Sequence, residues 1–108
     1  AFPEVPFVVG HACWPWTAQA VAIAVRAPNI YLMPEFYWYV PHMPGADDYL
    51  AAASSLLRTR VLFSSCYPTR TLSEAVEHTR ALPLPEPARR LVDGGNARRL
   101  LHERAFVS

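Results

Sequence analysis

Three short apolar segments, each followed by a segment with helical periodicity, set the pattern of this chain. Residues 7–9, 30–33 and 61–63 are rich in β-branched and aromatic side chains, so we expect each segment to be a strand. The segments are continuously apolar rather than alternating, which predicts parallel strands buried on both faces. Strands that alternate with helices in this way are typical of βαβ units.

Helical segments follow each strand and continue toward the C-terminus. The predicted helices cover 18–26, 47–57, 72–82, a short segment from Pro87 that ends at Gly94, and 97–104. Thr71 with Glu74 fits a capping box, and Asn96 is suited to cap the last helix. The fold class is therefore α/β, with three β/α units followed by terminal helices.

This pattern leaves one face of the predicted sheet without a cover. Three strands with helices on one side need further strands to bury the other side, and 108 residues supply none. We therefore expect these strands to come from missing sequence or from another chain. The chain begins with Ala1 rather than Met, so we expect it to be a piece of a longer protein.

Composition excludes several classes of protein. The net charge is +1 and 52% of residues are hydrophobic, which does not fit a nucleic-acid binder or a disordered segment. All ten basic residues are Arg, and we expect them on solvated helix surfaces. No apolar run approaches the roughly 20 residues of a membrane span, and no basic segment marks a signal peptide. Two cysteines do not make a disulfide framework, so we expect a reduced, cytoplasmic protein.

Candidate chemistry follows the strands. Ligands of parallel α/β sheets bind beyond the carboxyl ends of the strands, where residues 11–16, 35–42 and 64–70 arrive. His11 and Cys66 should therefore face the same side of the sheet. They lie two strand spacings apart, roughly 9–10 Å, so a shared ion or water is more natural than a direct hydrogen bond.

The other cysteine and histidines have simpler interpretations. Cys13 is expected to be a small buried apolar group. His42 is expected in a loop as a pocket wall, whereas His78 and His102 lie on helix faces and should be exposed. Residues 35–45, which follow Pro34, combine four aromatic residues, two further prolines, one acid and one histidine. This long loop would be a wall of a substrate site, a plug over the core or an interface.

An ordered set of short motifs carries a family resemblance. The set is Phe2-Pro3, Val8-Val9-Gly10-His11-Ala12, Pro15-Trp16, Pro28-Asn29-Ile30-Tyr31-Leu32, Arg60-Val61-Leu62-Phe63-Ser64-Ser65-Cys66-Tyr67-Pro68 and Asn96-Ala97-Arg98-Arg99-Leu100-Leu101. In this order it resembles the C-terminal part of the amidohydrolase-related family of metal-dependent hydrolases and decarboxylases. The resemblance implies that residues 1–108 are one partial domain, holding strands six to eight and the terminal helices of an incomplete (β/α)8 barrel.

The resemblance also implies roles for two residues. His11 matches the family's strand-six histidine, which orients or deprotonates the metal-bound water or helps to hold a second metal. Cys66 occupies the position of a strand-eight aspartate that binds the metal. A thiolate can bind zinc but replaces a carboxylate poorly as a proton shuttle. With only His11 and Cys66 as ligands, we expect the isolated chain not to bind a metal tightly or to turn over substrate.

These implications give two functional hypotheses. In the first, the complete protein uses a divalent metal, expected to be zinc, to hydrolyse a small cyclic, amide or ester substrate, or to decarboxylate a small aromatic acid. The substrate would contact Trp14, Tyr37, Trp38, His42, Tyr67 and Arg70, of which Arg70 could bind a carboxylate. In the second, motivated by Cys66, the protein is a noncatalytic barrel descendant that binds a ligand or partner through its aromatic loop. Either protein is expected to be a homo-oligomer.

Overall fold

The sheet forms in the expected order and direction. The computed structural model describes residues 4–105, with side chains through residue 102. Strand β1 (Phe7–Gly10) pairs in parallel with β2 (Ile30–Met33), with Phe7 opposite Ile30 and Gly10 opposite Met33. The third predicted strand is reduced to a parallel bridge between Val61 and Leu32. The three segments thus lie side by side in chain order, and their carboxyl ends share one edge.

Five helices surround this sheet in the described part of the chain. They are α1 (Thr17–Arg26), α2 (Ala46–Ser54), α3 (Leu72–Arg80), α4 (Glu86–Arg90) and α5 (Asn96–Ala105). Two 3₁₀ turns, His11–Cys13 and Glu35–Trp38, follow β1 and β2 directly. Across residues 4–105, no helix has the length and apolar character that crossing a bilayer would require.

The core lies between the strands and the helices that follow them. Leu32 and Val61 are almost fully buried with Tyr49 and Ala53 of α2. Trp38, at the end of the second 3₁₀ turn, is 3% exposed and belongs to the same cluster. The aromatic loop therefore supplies part of the core, one of the alternatives that its composition left open.

The C-terminal helices do not end where the glycines predicted. A π-helical turn over Leu91–Gly95 joins α4 to α5, so the backbone stays helical through Gly94. Asn96 then has no open helix end to cap. Its buried side-chain amide instead donates hydrogen bonds to the carbonyl oxygens of Arg58 (2.8 Å) and Val61 (2.9 Å). A tertiary contact with the third strand has replaced the expected local cap.

Strand β1 is more exposed than its apolar sequence predicted. Phe7 and Val8 keep 48% and 45% of their accessible surface. The strand pairs with β2 on one side, and its other edge is open within the described residues. The expectation of a strand buried on both faces is therefore wrong for β1 in this chain, because burial requires neighbours that the described residues do not provide.

Two arginines donate hydrogen bonds to backbone carbonyl oxygens. The expectation that they lie on solvated helix surfaces is therefore wrong for Arg60 and Arg89. Nη1 of Arg60 lies 2.5–3.2 Å from the carbonyl oxygens of Ala24, Ala27 and Ile30, where α1 ends and β2 begins. Arg89 donates in the same way to four carbonyl oxygens at and beyond the end of α3, at Thr79, Arg80, Leu82 and Leu84. A guanidinium has five donors in a fixed fork, so one side chain can satisfy several carbonyls left open at a helix end.

Candidate functional site

Three side chains converge at the carboxyl edge of the sheet. They are His11 after β1, Glu35 after β2 and Cys66 after the third strand. One possible ligand atom from each lies within 4.8 Å of the others. The predicted convergence of His11 and Cys66 is thus present in the fold, and Glu35 lies with them. We refer to these three residues as the edge trio.

All three members of the edge trio have left-handed backbone conformations. The φ angles are 59° at His11, 62° at Glu35 and 59° at Cys66. This region is uncommon for residues other than glycine and costs roughly 1–2 kcal/mol per residue. Such conformations persist where the surrounding structure enforces them, and they cluster at functional sites. In each case the left-handed residue turns the chain away from the strand end.

Glu35 is the buried member of the edge trio. Its residue is 7% exposed, whereas the side chain of His11 is 57% exposed. Oε2 of Glu35 lies 2.5 Å from Nδ1 of His11, yet this buried oxygen has no well-directed hydrogen bond within the described residues. A buried carboxylate oxygen is costly to leave without a polar partner, so burial favours the close contact between Glu35 and His11.

The turn that carries His11 is fixed from two directions. Ala12, fully buried with a φ of 45°, follows His11, and its carbonyl oxygen accepts a 2.8 Å hydrogen bond from the hydroxyl of Tyr49. The ring of Tyr37 meets the His11 imidazole edge-on, with centroids 5.6 Å apart. Helix α2 and the aromatic loop therefore both contribute to the placement of the imidazole.

The surroundings of Cys66 raise the pKa of its thiol. Burial raises its pKa, and the neighbouring Glu35 carboxylate raises it further by accepting a hydrogen bond from the thiol and by its charge. Opposing contributions from Thr69 and Arg70 are smaller. A nucleophilic cysteine needs the opposite shift, because the thiolate is the reactive species. The environment of Cys66 therefore does not favour a cysteine nucleophile. This agrees with the expectation that His11 and Cys66 do not act as a directly hydrogen-bonded pair.

The donor set suits a soft or borderline divalent cation. Imidazole, thiolate and carboxylate are the ligand types that bind zinc in proteins. Three protein ligands with one open position is the arrangement of catalytic zinc sites, whereas structural sites have four. The residues present therefore fit the metal that the family resemblance implies.

An aromatic and cationic wall lies beside the edge trio. Tyr37 stacks on Trp14 at a centroid distance of 4.9 Å and on Phe36 at 4.4 Å. The guanidinium carbon of Arg70 lies 5.3 Å from the centroid of the Phe36 ring. Three of the predicted substrate contacts, at Trp14, Tyr37 and Arg70, are thus brought together around the strand ends.

The other predicted substrate contacts, Trp38, His42 and Tyr67, do not belong to this wall. Trp38 is buried in the core, so its side chain is not presented at the surface for a substrate to contact. His42 is exposed in the loop before α2, and Tyr67, next to Cys66, is 77% exposed. Cys13 is exposed as well, so the expectation that it is buried is wrong. It lies on the left-handed turn after β1.

Glu35 is the site residue that sequence reasoning missed. It was noted only as the single acid of the aromatic loop. The available signal was its position, since it follows β2 with only Pro34 between them, much as His11 follows β1 directly. In a parallel sheet, an acid at that point belongs to the same edge as His11.

Comparison with known proteins assigns this architecture to a family. The sequence profile of the amidohydrolase family matches residues 1–102, and the chain therefore belongs to that family. A solved structure, that of an uncharacterised TIM-barrel protein from Bordetella bronchiseptica, is 39% identical and superposes with a TM-score of 0.88. The match covers 94% of this chain and 36% of that chain. Among curated proteins, none matches significantly.

Proposed function

We propose that this chain is the C-terminal part of a metal-dependent hydrolase of the amidohydrolase family, in which strands from the preceding sequence or from another chain complete the barrel. The convergence of His11, Glu35 and Cys66 at the carboxyl edge of the sheet carries the proposal. Ligands of barrel enzymes bind at this edge. The match to 36% of a solved TIM-barrel chain agrees with a partial barrel.

His11 is the residue best placed to handle a proton in this reaction. Its imidazole is largely exposed, while Nδ1 faces the buried Glu35 carboxylate. That carboxylate orients the ring so that it can take a proton from an attacking water. A bound divalent metal would supply Lewis-acid polarisation of the substrate carbonyl, with Cys66 among its ligands.

The neighbouring wall supports a small planar substrate. Trp14 and Tyr37 offer stacked faces beside His11, and Arg70 offers a guanidinium for a carboxylate or carbonyl oxygen. Tyr67 is exposed at the same turn as Cys66. A small cyclic amide or ester fits these contacts, and decarboxylation of a small aromatic acid is the alternative chemistry at the same wall.

Chelation of the longer parent protein tests this function. Hydrolysis of a panel of small cyclic amides and esters should be lost on removal of the metal and restored by zinc, and His11→Asn should lower turnover by at least about 100-fold. His78→Ala, on the exposed face of α3, is the matched control and should retain activity. A parent protein without bound metal, with activity unchanged by chelation, would rule out the metal mechanism and favour a noncatalytic barrel.

A further inference from the structure

We propose that the outer surface of helices α1 and α2 binds a second copy of this chain, with the helices of the two copies antiparallel. This surface lies on the outside of the helices, away from the sheet edge that carries the edge trio. The proposal does not depend on the chemistry of that site, and it assigns a partner to a surface that the candidate site leaves unused.

The outer side of α1 is apolar where a solvated helix would be polar. Gln19 is the only polar residue between the two ends of this helix. Ala18, Ala22 and Val25 are exposed, and Val25 keeps 40% of its accessible surface. A helix that is apolar on its outer side as well as on its inner side is typical of one that is covered on both sides. The outer side of α1 therefore calls for a partner.

A groove of about 240 Å³ between α1 and α2 continues this surface, and Val21 and Ala52 are among the residues that line it. The Asp48 carboxylate also lines the groove, where it accepts a 2.5 Å hydrogen bond from the hydroxyl of Thr17. Leu56, which follows α2, lies beside the groove and is 73% exposed. A leucine that projects next to an apolar groove can enter the same groove of a second copy, as a two-fold interface requires. We refer to the exposed residues Ala18, Ala22, Val25, Ala51, Ser55 and Leu56 as the outer face.

The rest of a barrel would not cover the outer face. Because β1 and β2 are parallel and each is followed by a helix, α1 and α2 lie over the same side of the sheet, in contact with each other. In the partial barrel proposed above, further strands and their helices would be added beyond β1 and beyond the third strand. Those helices would lie beside α1 and α2 and would not cross the groove between them. The cover must therefore come from another molecule.

The charges at the two ends of the outer face favour a second copy as that molecule. Both helices start at the sheet edge that carries the edge trio, so they run parallel to each other. Asp47 is exposed at the start of α2, whereas the exposed side chains of Arg26 and Arg58 lie where α1 ends and beyond the end of α2. One end of the face is therefore acidic and the other is basic. A two-fold axis perpendicular to the helices places the basic end of each copy against the acidic end of the other, with Arg58 opposite Asp47 of the second copy. Parallel packing would bring like charges together.

Sedimentation velocity of the longer parent protein tests this interface. The isolated chain is less suitable, because the open edge of β1 is the stronger site of association there. The parent protein should be a dimer, and Val25→Lys should raise the Kd of the dimer by at least about 10-fold, since it places a charge in an apolar interface. Leu101→Lys, at a residue of α5 that is 71% exposed, is the matched control and should leave the dimer unchanged. A monomeric parent, or a dimer that Val25→Lys does not weaken, would overturn the proposal.

Charge reversal tests the antiparallel arrangement separately. Asp47→Arg and Arg58→Asp should each weaken the dimer by about 3–10-fold, and the variant with both changes should recover most of the parent's affinity, because each new arginine meets a new aspartate of the other copy. Arg98→Asp, an exposed change on α5, should have no effect. Circular dichroism should show that all variants keep the helical content of the parent. Failure of the double variant to recover affinity would overturn the antiparallel arrangement. A parent that dimerises through the outer face without hydrolysing its substrates would retain this interface and lose the proposed function.

Discussion

Individual residues with left-handed backbone mark the ends of the strands. Besides the edge trio, Ala12 and Cys13 have φ angles of 45° and 60°, so the turn after β1 contains three such residues in succession. Glycine would adopt this conformation without the contact between Cβ and the backbone. The chain instead places side chains there, and at three of these positions the side chain belongs to the candidate site.

Cys13→Gly should stabilise the chain by about 0.5–1 kcal/mol, since relief of the left-handed conformation exceeds the greater entropy that glycine gains in the unfolded state. Cys13 is exposed, so little packing is lost. The free energy of unfolding from urea titration measures the effect. Cys13→Ser keeps the Cβ and should show no gain; equal stabilisation by both variants would mean that loss of the thiol, not backbone strain, is responsible.

Tyr49→Phe should lower the free energy of unfolding by about 1–2 kcal/mol at neutral pH, because it leaves the buried carbonyl oxygen of Ala12 without its donor. Burial also raises the pKa of Tyr49 above the ordinary value of about 10. The contribution of its proton is therefore complete below about pH 10 and is lost as the pH rises above that value.

Urea titrations at about pH 7, 9 and 10.5 measure this dependence. Burial also raises the pKa of Tyr39, so the parent chain loses stability from both residues in alkali. The difference between the parent and Tyr49→Phe isolates Tyr49 and should shrink above about pH 10. A difference that stays constant through this range would contradict a raised pKa at Tyr49.

At the scale of elements, a local contact sets the start of α3, whereas a long-range contact replaces the cap expected before α5. The capping interaction at α3 is local, and the sequence predicts it correctly, since Oγ1 of Thr71 accepts a hydrogen bond from the amide of Glu74. The joint between α4 and α5 is not local. The Asn96 side chain donates hydrogen bonds to carbonyl oxygens 38 and 35 positions earlier in the chain. Gly94 remains inside the helical segment.

Asn96→Ala should destabilise the chain by about 2–4 kcal/mol, because the carbonyl oxygens of Arg58 and Val61 would lose their donors in a buried setting. Arg98→Ala, an exposed change two positions along the same helix, should cost less than about 0.5 kcal/mol. Thermal and urea unfolding of both variants give the comparison. Similar free energies of unfolding for the two variants would show that the hydrogen bonds of Asn96 contribute little to stability.

Local sequence patterns predict part of this fold and site, whereas features that depend on long-range packing cannot be predicted from them. Strand direction and the site of the chemistry follow from alternating strands and helices, so His11 and Cys66 could be placed together. The position of Glu35 after β2 indicated the same sheet edge, but its burial and its contact with His11 could not be predicted from the sequence. Its role depends on the left-handed turn after Pro34, and on burial that only the packed strands provide.

At the scale of the whole molecule, β1 presents an open apolar edge. Val5, Phe7 and Val8 keep 42–48% of their surface exposed beside a strand edge without a partner in the described residues. Exposed edges of this kind tend to pair with other strands. In the complete barrel that we propose, an additional strand would occupy this position.

The isolated chain should therefore self-associate, and Phe7→Lys should reduce that association by placing a charge on the open edge. Leu56→Lys, which changes a residue that is 73% exposed near the end of α2, should have a smaller effect. Sedimentation velocity over a range of concentrations measures the change. Equal effects of the two variants would show that association does not depend on the strand edge.

The edge trio also bears on the order in which the molecule folds. Its residues come from three consecutive strands, so their placement depends only on the pairing of β1 with β2 and of Leu32 with Val61. Contacts between neighbouring units form with less loss of chain entropy than contacts between distant ones. The candidate site can therefore be assembled once the third strand docks, before any further strand of the proposed barrel is added.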